Sequence, residues 1–253
     1  MNAWVVGSVV FVCVFGGALL GMYLRPRLPQ TNLSEETKDT VKLGMGLVAT
    51  MAALVLGLLV ATAKGSYDDQ KSGFDQISAN LILLDSMLAQ YGPETQQARL
   101  RLRDIVAIGI SRIWPEDAEG SPSLVPTTTA EGESLSNIIL GLAPADDRQR
   151  HLLPTIMQIS MEVGRARWLL AAQDQGAPIP KTFLVIVIFW LTVLFASFGL
   201  LAPRNLTAIG TLCLSALSVS GAIFLILELA QPFQGLVQIS STPLRTALSL
   251  IAQ

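Results

Sequence analysis

The four longest apolar runs of this 253-residue sequence contain no Asp, Glu, Lys, Arg or His. Only 14% of all residues are charged, whereas about 25% are charged in an ordinary soluble domain. The runs lie at about 4–24, 43–63, 182–201 and 206–227, and each is close to the roughly 20 residues that cross a bilayer as a helix. The shortage of charge therefore excludes an ordinary soluble protein and predicts four transmembrane helices.

The first run also lacks the basic residues that precede the apolar core of a secretory signal peptide. Its basic residues, Arg25 and Arg27, follow the run instead, and the run is longer than a signal-peptide core. We therefore interpret the run as a retained transmembrane helix.

Histidine and cysteine are scarce, which removes the usual ligands of a metal site. His151 is the only histidine, and the two cysteines, Cys13 and Cys213, both lie inside apolar runs, where they are expected to be small buried side chains. Motifs of hydrolases, phosphate-binding loops and zinc proteases are absent. The net charge of −2, with no basic patch, argues against a nucleic-acid partner. We expect no enzymatic activity, no cofactor and no metal.

The polar and apolar segments divide the chain into four parts. We predict a first transmembrane pair at 1–65, a helical extramembrane domain at 66–180, a second transmembrane hairpin at 181–228 and an amphipathic C-terminal tail at 229–253. No segment has a strong strand pattern. The predicted fold is an all-α, four-transmembrane-helix membrane protein whose extramembrane domain consists of extensions of the membrane helices.

The second helix is predicted to continue beyond the membrane until Gly92 and Pro93 end it. The reason is a heptad seam of apolar residues at Phe74, Ile77, Leu81, Leu84, Leu88 and Tyr91. Further helices are predicted at about 94–114 and 145–173, and the Pro-, Ser- and Thr-rich stretch 115–134 predicts a surface loop. The buried face predicted for the helix at 94–114 consists of Ala98, Leu102, Ile105 and Gly109.

Small residues recur at every fourth position of the second apolar run. This small-residue ridge consists of Ala49, Ala53, Gly57, Ala61 and Gly65. Small residues let helix backbones approach closely in a membrane, so the ridge predicts tight helix packing, either within the chain or between chains. The alternative is that the ridge faces a symmetric axis and lines a pore.

Two residues near the end of the fourth run are candidates for a role at the membrane boundary. Glu228 is an acidic residue near membrane depth, which makes it a functional candidate by default. Pro232 follows and is expected to end or kink the helix. Together they could form a constriction or a lateral contact, although Glu228 could also reach water.

Basic residues are concentrated in the loop between the first two runs. This loop contains Arg25, Arg27, Lys38 and Lys42, and Arg204 is expected on the same side of the membrane. The positive-inside rule would place this side in the cytoplasm and the helical domain in the periplasm of a bacterial inner membrane.

Two stretches, 33–69 and 228–248, resemble the signatures of a bacterial integral membrane family described as bestrophin-like. Bestrophins are homo-oligomeric anion channels, usually pentamers, with four transmembrane helices per subunit. The resemblance implies that the helix at 43–63 lines a pore for small anions in a homo-oligomer, although this helix lacks the aromatic residues of a bestrophin neck.

The sequence leaves two functional hypotheses open. The first is an oligomeric, passive anion pore in the lipid bilayer. The second is a non-conducting membrane scaffold or sensor that recruits a partner through its helical domain.

Overall fold

The computed structural model of the chain describes residues 2–27, 35–114, 129–175, 181–233 and 235–251. These residues form eight α-helices and no strand. The helices are α1 (Ala3–Leu24), α2 (Glu35–Tyr91), α3 (Gln96–Ile113), α4 (Thr129–Leu140), α5 (Asp147–Gln175), α6 (Lys181–Leu201), α7 (Leu206–Leu229) and α8 (Thr242–Leu250).

The described chain is all-helical, as the sequence predicted, and α1, α2, α6 and α7 are long and apolar enough to cross a membrane. The predicted continuation of the second helix is confirmed, because α2 extends without a break through 57 residues to Tyr91. It ends where Gly92 adopts a φ of 145°, a backbone conformation that favours glycine, and Pro93 follows.

The chain divides into two compact units. The first unit comprises Met1–Tyr67 and Pro178–Gln231, and the second comprises Asp68–Ala177 and Pro232–Gln253. The four apolar helices contribute their membrane-length segments to the first unit, and α2 continues into the second.

In the first unit α1 packs against both α6 and α7. The contact with α6 is parallel, because Gly17 lies against Thr192 and Gly21 lies against Ala196 further along both helices. A Cβ atom at Gly21 would overlap the backbone carbonyl of Ala196, so these two backbones are in direct contact. The Gly17-xxx-Gly21 pair therefore permits the close approach that a membrane helix pair needs.

The second unit is a helical bundle around the predicted heptad seam of α2. All six seam residues, from Phe74 to Tyr91, are buried, and none is more than 5% exposed. The C-terminal tail also packs here, since Trp114 Nε1 donates a 2.9 Å hydrogen bond to the carbonyl oxygen of Ile239. The rings of Phe74, Trp114 and Phe233 meet edge to face beside this bond.

Two predictions in this region were wrong in part. The buried face of α3 consists of Ala98, Leu102, Val106 and Ile110. Ile105 and Gly109 are only half-buried, because the branched side chains of Val106 and Ile110 remove more apolar area from water than Gly109 can. The predicted loop at 115–134 also extends too far, because α4 begins at Thr129. Its remaining residues, 115–128, lie outside the described chain.

A buried ion pair joins α2 to α3 in the second unit. Arg99 donates from Nε to Asp85 Oδ1 at 2.8 Å and from Nη2 to Asp85 Oδ2 at 2.9 Å, so the contact is bidentate. The hydrogen bonds to Asp85 raise the pKa of Arg99 above its ordinary value. A raised arginine pKa adds stability at every pH below the ordinary value, so this contribution stays constant across the neutral range.

Replacing Asp85 by Asn should destabilise the second unit by about 3 kcal/mol, because the Arg99 side chain, which is only 20% exposed, would lose the carboxylate of Asp85. Thermal unfolding in detergent, followed by tryptophan fluorescence, measures the effect. The matched control is Asp147→Asn, which removes an exposed ion pair with Arg150 and should leave the unfolding midpoint unchanged. Equal midpoints for the two variants would contradict a structural role of the buried pair.

Candidate functional site

The membrane segment of α2 is the least enclosed of the four apolar helices. Within its most apolar window 17% of the residues are buried, whereas the corresponding windows of the other three helices are 33–39% buried. Its buried residues form one narrow stripe: Met45, Ala52, Leu59 and Ala63. The remaining surface of this segment is therefore open to lipid, to another subunit or to an aqueous lumen.

The small-residue ridge begins beside this stripe and winds away from it. Ala49 is half-buried, whereas Ala53, Gly57, Ala61 and Gly65 are exposed. Each step of four residues turns about 40° around an α-helix. Gly57 consequently lies about 120° from the buried stripe, and Gly65 lies on the opposite side of the helix. The ridge therefore does not belong to a single face, and four of its five residues are exposed in the part of the chain that the structure describes.

The glycines of the membrane helices fall into two groups. Gly21 and Gly199 lie against the backbone of a neighbouring helix, so that an added Cβ would collide, and an added Cβ at Gly17 would lie only 3.0 Å from Thr192. In contrast, an added Cβ at Gly57 or Gly65 would meet no atom within 4 Å. Glycine costs a helix about 1 kcal/mol relative to alanine. For Gly17, Gly21 and Gly199 close helix packing offsets this cost. For Gly57 and Gly65 no packing contact among the described residues offsets it.

The two threonine hydroxyl groups between residues 43 and 63 of α2 already donate hydrogen bonds to carbonyl groups of their own helix. Thr50 Oγ1 donates to the carbonyl oxygen of Leu47 at 2.8 Å, and Thr62 Oγ1 donates to that of Leu58 at 2.9 Å. Each hydroxyl has a single hydrogen, so neither offers a donor to an anion in this arrangement. The exposed surface of α2 is therefore chemically apolar and presents no side-chain donor between residues 43 and 63.

The two boundary candidates lie in different units. Glu228 is 4% exposed, in the last turn of α7, and its carbonyl oxygen accepts a 3.1 Å hydrogen bond from the Gln231 amide. Pro232 is also buried, and its carbonyl oxygen accepts a 2.8 Å hydrogen bond from the Ile239 amide. Helix α7 ends at Leu229, three residues before Pro232, as expected next to a residue without an amide hydrogen.

Sequence reasoning treated the arginines beside the first loop only as charges, whereas the structure shows that two of them bind helix ends. Arg25, just beyond α1, donates to the carbonyl oxygen of Ala202, just beyond α6. Arg204 donates to the carbonyl oxygen of Met22 at 2.7 and 3.0 Å and to that of Tyr23 at 3.2 Å. Arg204 thus lies against the carboxyl end of α1. The sequence signal for both contacts was an arginine within three residues of the end of the first and third apolar runs, at Arg25 and Arg204.

Among the described residues no three His, Cys, Asp or Glu side chains are grouped closely enough to hold a metal ion. His151 lies exposed on α5.

The amino-acid sequence matches the model of the bestrophin-like domain over residues 12–244, which includes most of α1 and all of α2 to α7. None of the curated proteins and none of the solved structures with which the chain was compared matches it. Because the matched region covers most of the sequence, this chain belongs to the bestrophin-like family.

Proposed function

We propose that the chain assembles into a homo-oligomeric membrane pore that passes small anions passively, with the open surface of α2 facing the axis. The observation that carries this proposal is the exposure of Gly57 and its neighbours on the least buried membrane helix. The family relation supports it, because bestrophins are oligomeric anion channels. With no free side-chain donor between residues 43 and 63 of α2, selectivity would come from pore width and from the dipoles of helix ends.

Exposed apolar side chains on α5 support self-association. Met161 is 69% exposed and Trp168 is 55% exposed, and the two lie seven residues apart on one side of the helix. We place the second unit outside the membrane, where water would contact these side chains. Large apolar groups in water commonly mark a contact with another protein. A pentamer, by analogy with bestrophins, would bury them between neighbouring subunits.

We assign the protein to a bacterial inner membrane. The positive-inside rule favours a cytoplasmic position for Arg25, Arg27 and Arg204 and a periplasmic position for the second unit. Labelling of single-cysteine variants in intact cells tests this orientation.

Native mass spectrometry of the purified chain in mild detergent, followed by chloride efflux from liposomes, tests the proposed function. We expect a ring of four or more subunits and a chloride flux that protein-free liposomes lack. A monomer or dimer would exclude an axial pore. A larger ring without flux would favour the non-conducting scaffold, for which pull-downs with the full chain would then seek a partner.

Replacing Trp168 by Glu should weaken the assembly without unfolding the subunit. A buried interface tryptophan commonly contributes about 2 kcal/mol or more, so dissociation should occur at concentrations about thirtyfold higher than in the parent protein. Mass photometry over a dilution series measures this shift. The control Thr155→Glu adds the same charge to an exposed polar position of α5 and should leave assembly unchanged. Identical dilution curves for both variants would contradict a subunit contact at Trp168.

A further inference from the structure

Three arginines lie close together at one end of the first unit, and we call them the arginine end: Arg25, Arg27 and Arg204. Arg25 and Arg204 are held in place by their hydrogen bonds to carbonyl oxygens at the ends of α6 and α1. Arg27 is held by Tyr23, whose hydroxyl accepts a 2.7 Å bond from Nη2 and whose ring centroid lies 4.4 Å from the guanidinium carbon. Each of the three guanidinium groups therefore has at least one specific contact at this end of the unit.

The positive charge of the arginine end is only partly neutralised. None of the three arginines forms an ion pair with a carboxylate among the described residues, where the ion pairs involve other side chains. The carboxyl ends of α1 and α6 together contribute about one negative charge, and the amino end of α7 adds about half a positive charge. Each guanidinium has five donor hydrogens, and the observed bonds use only some of them. Charge and donors thus remain for an anion.

An apolar groove begins beside these arginines, and we call it the α6–α7 groove. It is shallow and largely open, has a volume of about 400 Å³ and lies between the end of α6 and the start of α7. Its lining is mostly apolar (Phe198, Ala202, Pro203, Ala208 and Leu212) and also includes the polar residues Asn205, Thr207 and Thr211. Ala202 connects the groove to the arginine end, because Ala202 lines the groove and its carbonyl oxygen accepts a hydrogen bond from Arg25.

We infer that the arginine end and the α6–α7 groove together bind one anionic phospholipid, with its phosphate on the guanidinium groups and an acyl chain in the groove. Guanidinium groups match the geometry of phosphate oxygens and bind them through paired hydrogen bonds. The site lies at the ends of membrane-length helices, which is where phospholipid headgroups are found. A charged head beside an apolar slot fits an amphiphilic lipid better than it fits free phosphate.

The test measures how much phosphatidylglycerol the full chain retains. The protein is equilibrated with phosphatidylcholine vesicles that contain a minority of phosphatidylglycerol, extracted in mild detergent and analysed for bound lipid. The parent protein should be enriched in phosphatidylglycerol, and Arg27→Gln should reduce that enrichment about fivefold, the effect of one basic residue near an anionic lipid surface. Ala208→Trp, which fills the groove without changing charge, should reduce it as well.

The control Arg150→Gln removes an arginine from α5 in the second unit, where it pairs with Asp147, and should leave the enrichment unchanged. An equal loss in this control, or no enrichment in the parent protein, would overturn the proposal. So would complete displacement of the lipid by inorganic phosphate, because the site would then be one for free phosphate. Arg27 contacts only Tyr23 among the bonds described, so its variant should fold even if Ala208→Trp does not. Lipid retention is measured without ion flux, so this result is independent of the proposed pore.

Discussion

Gly21→Ala should lower the unfolding midpoint of the protein by about 4–8 °C, although it adds a single methyl group. The new Cβ would overlap the carbonyl of Ala196 and lie 2.9 Å from the backbone nitrogen of Leu200. Backbone atoms cannot rotate away as a side chain can, so α1 and α6 would have to separate. Overpacking against backbone atoms costs up to about 3 kcal/mol, and the better helix propensity of alanine offsets about 1 kcal/mol of that cost. Each remaining kcal/mol lowers the midpoint of a chain of this size by about 2–4 °C.

The same substitution five residues earlier is a strict control. An added Cβ at Gly16 meets no atom within 4 Å, and alanine is the better helix former by about 1 kcal/mol. Gly16→Ala should therefore raise the midpoint by about 2–4 °C. Differential scanning fluorimetry of both variants in one detergent measures the two shifts. If Gly21→Ala also raised the midpoint, α1 and α6 would not be in contact at this position.

The helical extension of α2 could be predicted because its signal is periodic and unambiguous. Residues such as Leu81, Leu84 and Leu88 repeat with the spacing of a heptad, and all three are buried. The face of α3 was harder to predict, because apolar residues border it on both sides. Pattern alone could not decide between Ile105 and Val106, since the choice depends on which helices pack against α3. The start of α4 was hidden by the Ser- and Thr-rich composition, although acidic residues at 131 and 133 are typical of a helix amino terminus.

The candidate site could be predicted only as a set of residues, because the local sequence around a small residue does not show which helix packs against it. Gly17 and Gly57 look alike in sequence, as each lies in an apolar run with another small residue four positions away. In the structure, a Cβ atom added at Gly17 would lie 3.0 Å from Thr192, whereas a Cβ atom added at Gly57 would meet no atom within 4 Å. The role of Arg204 depends in the same way on a carbonyl group at Met22, 182 positions away in the chain. Long-range contacts of this kind require the fold.

The exposed position of Gly57 makes it a direct test of the pore. Gly57→Leu should abolish chloride flux in reconstituted liposomes, because its side chain would project from the open surface of α2 into the proposed lumen. The protomer itself has room for leucine, since no atom lies within 4 Å of an added Cβ. Leucine is also the better helix former, so the subunit should be at least as stable as before. A loss of flux would therefore not result from misfolding.

A second open glycine provides the matched control. Gly221 lies exposed on α7, and an added Cβ there also meets no atom within 4 Å, so Gly221→Leu changes side-chain volume equally on a different membrane helix. We expect normal flux from this variant. Native mass spectrometry then separates the possible roles of Gly57: an intact oligomer without flux places the residue in the lumen, whereas dissociation into monomers places it at a subunit contact. Normal flux from an intact Gly57→Leu oligomer would exclude this face of α2 from the wall of the pore.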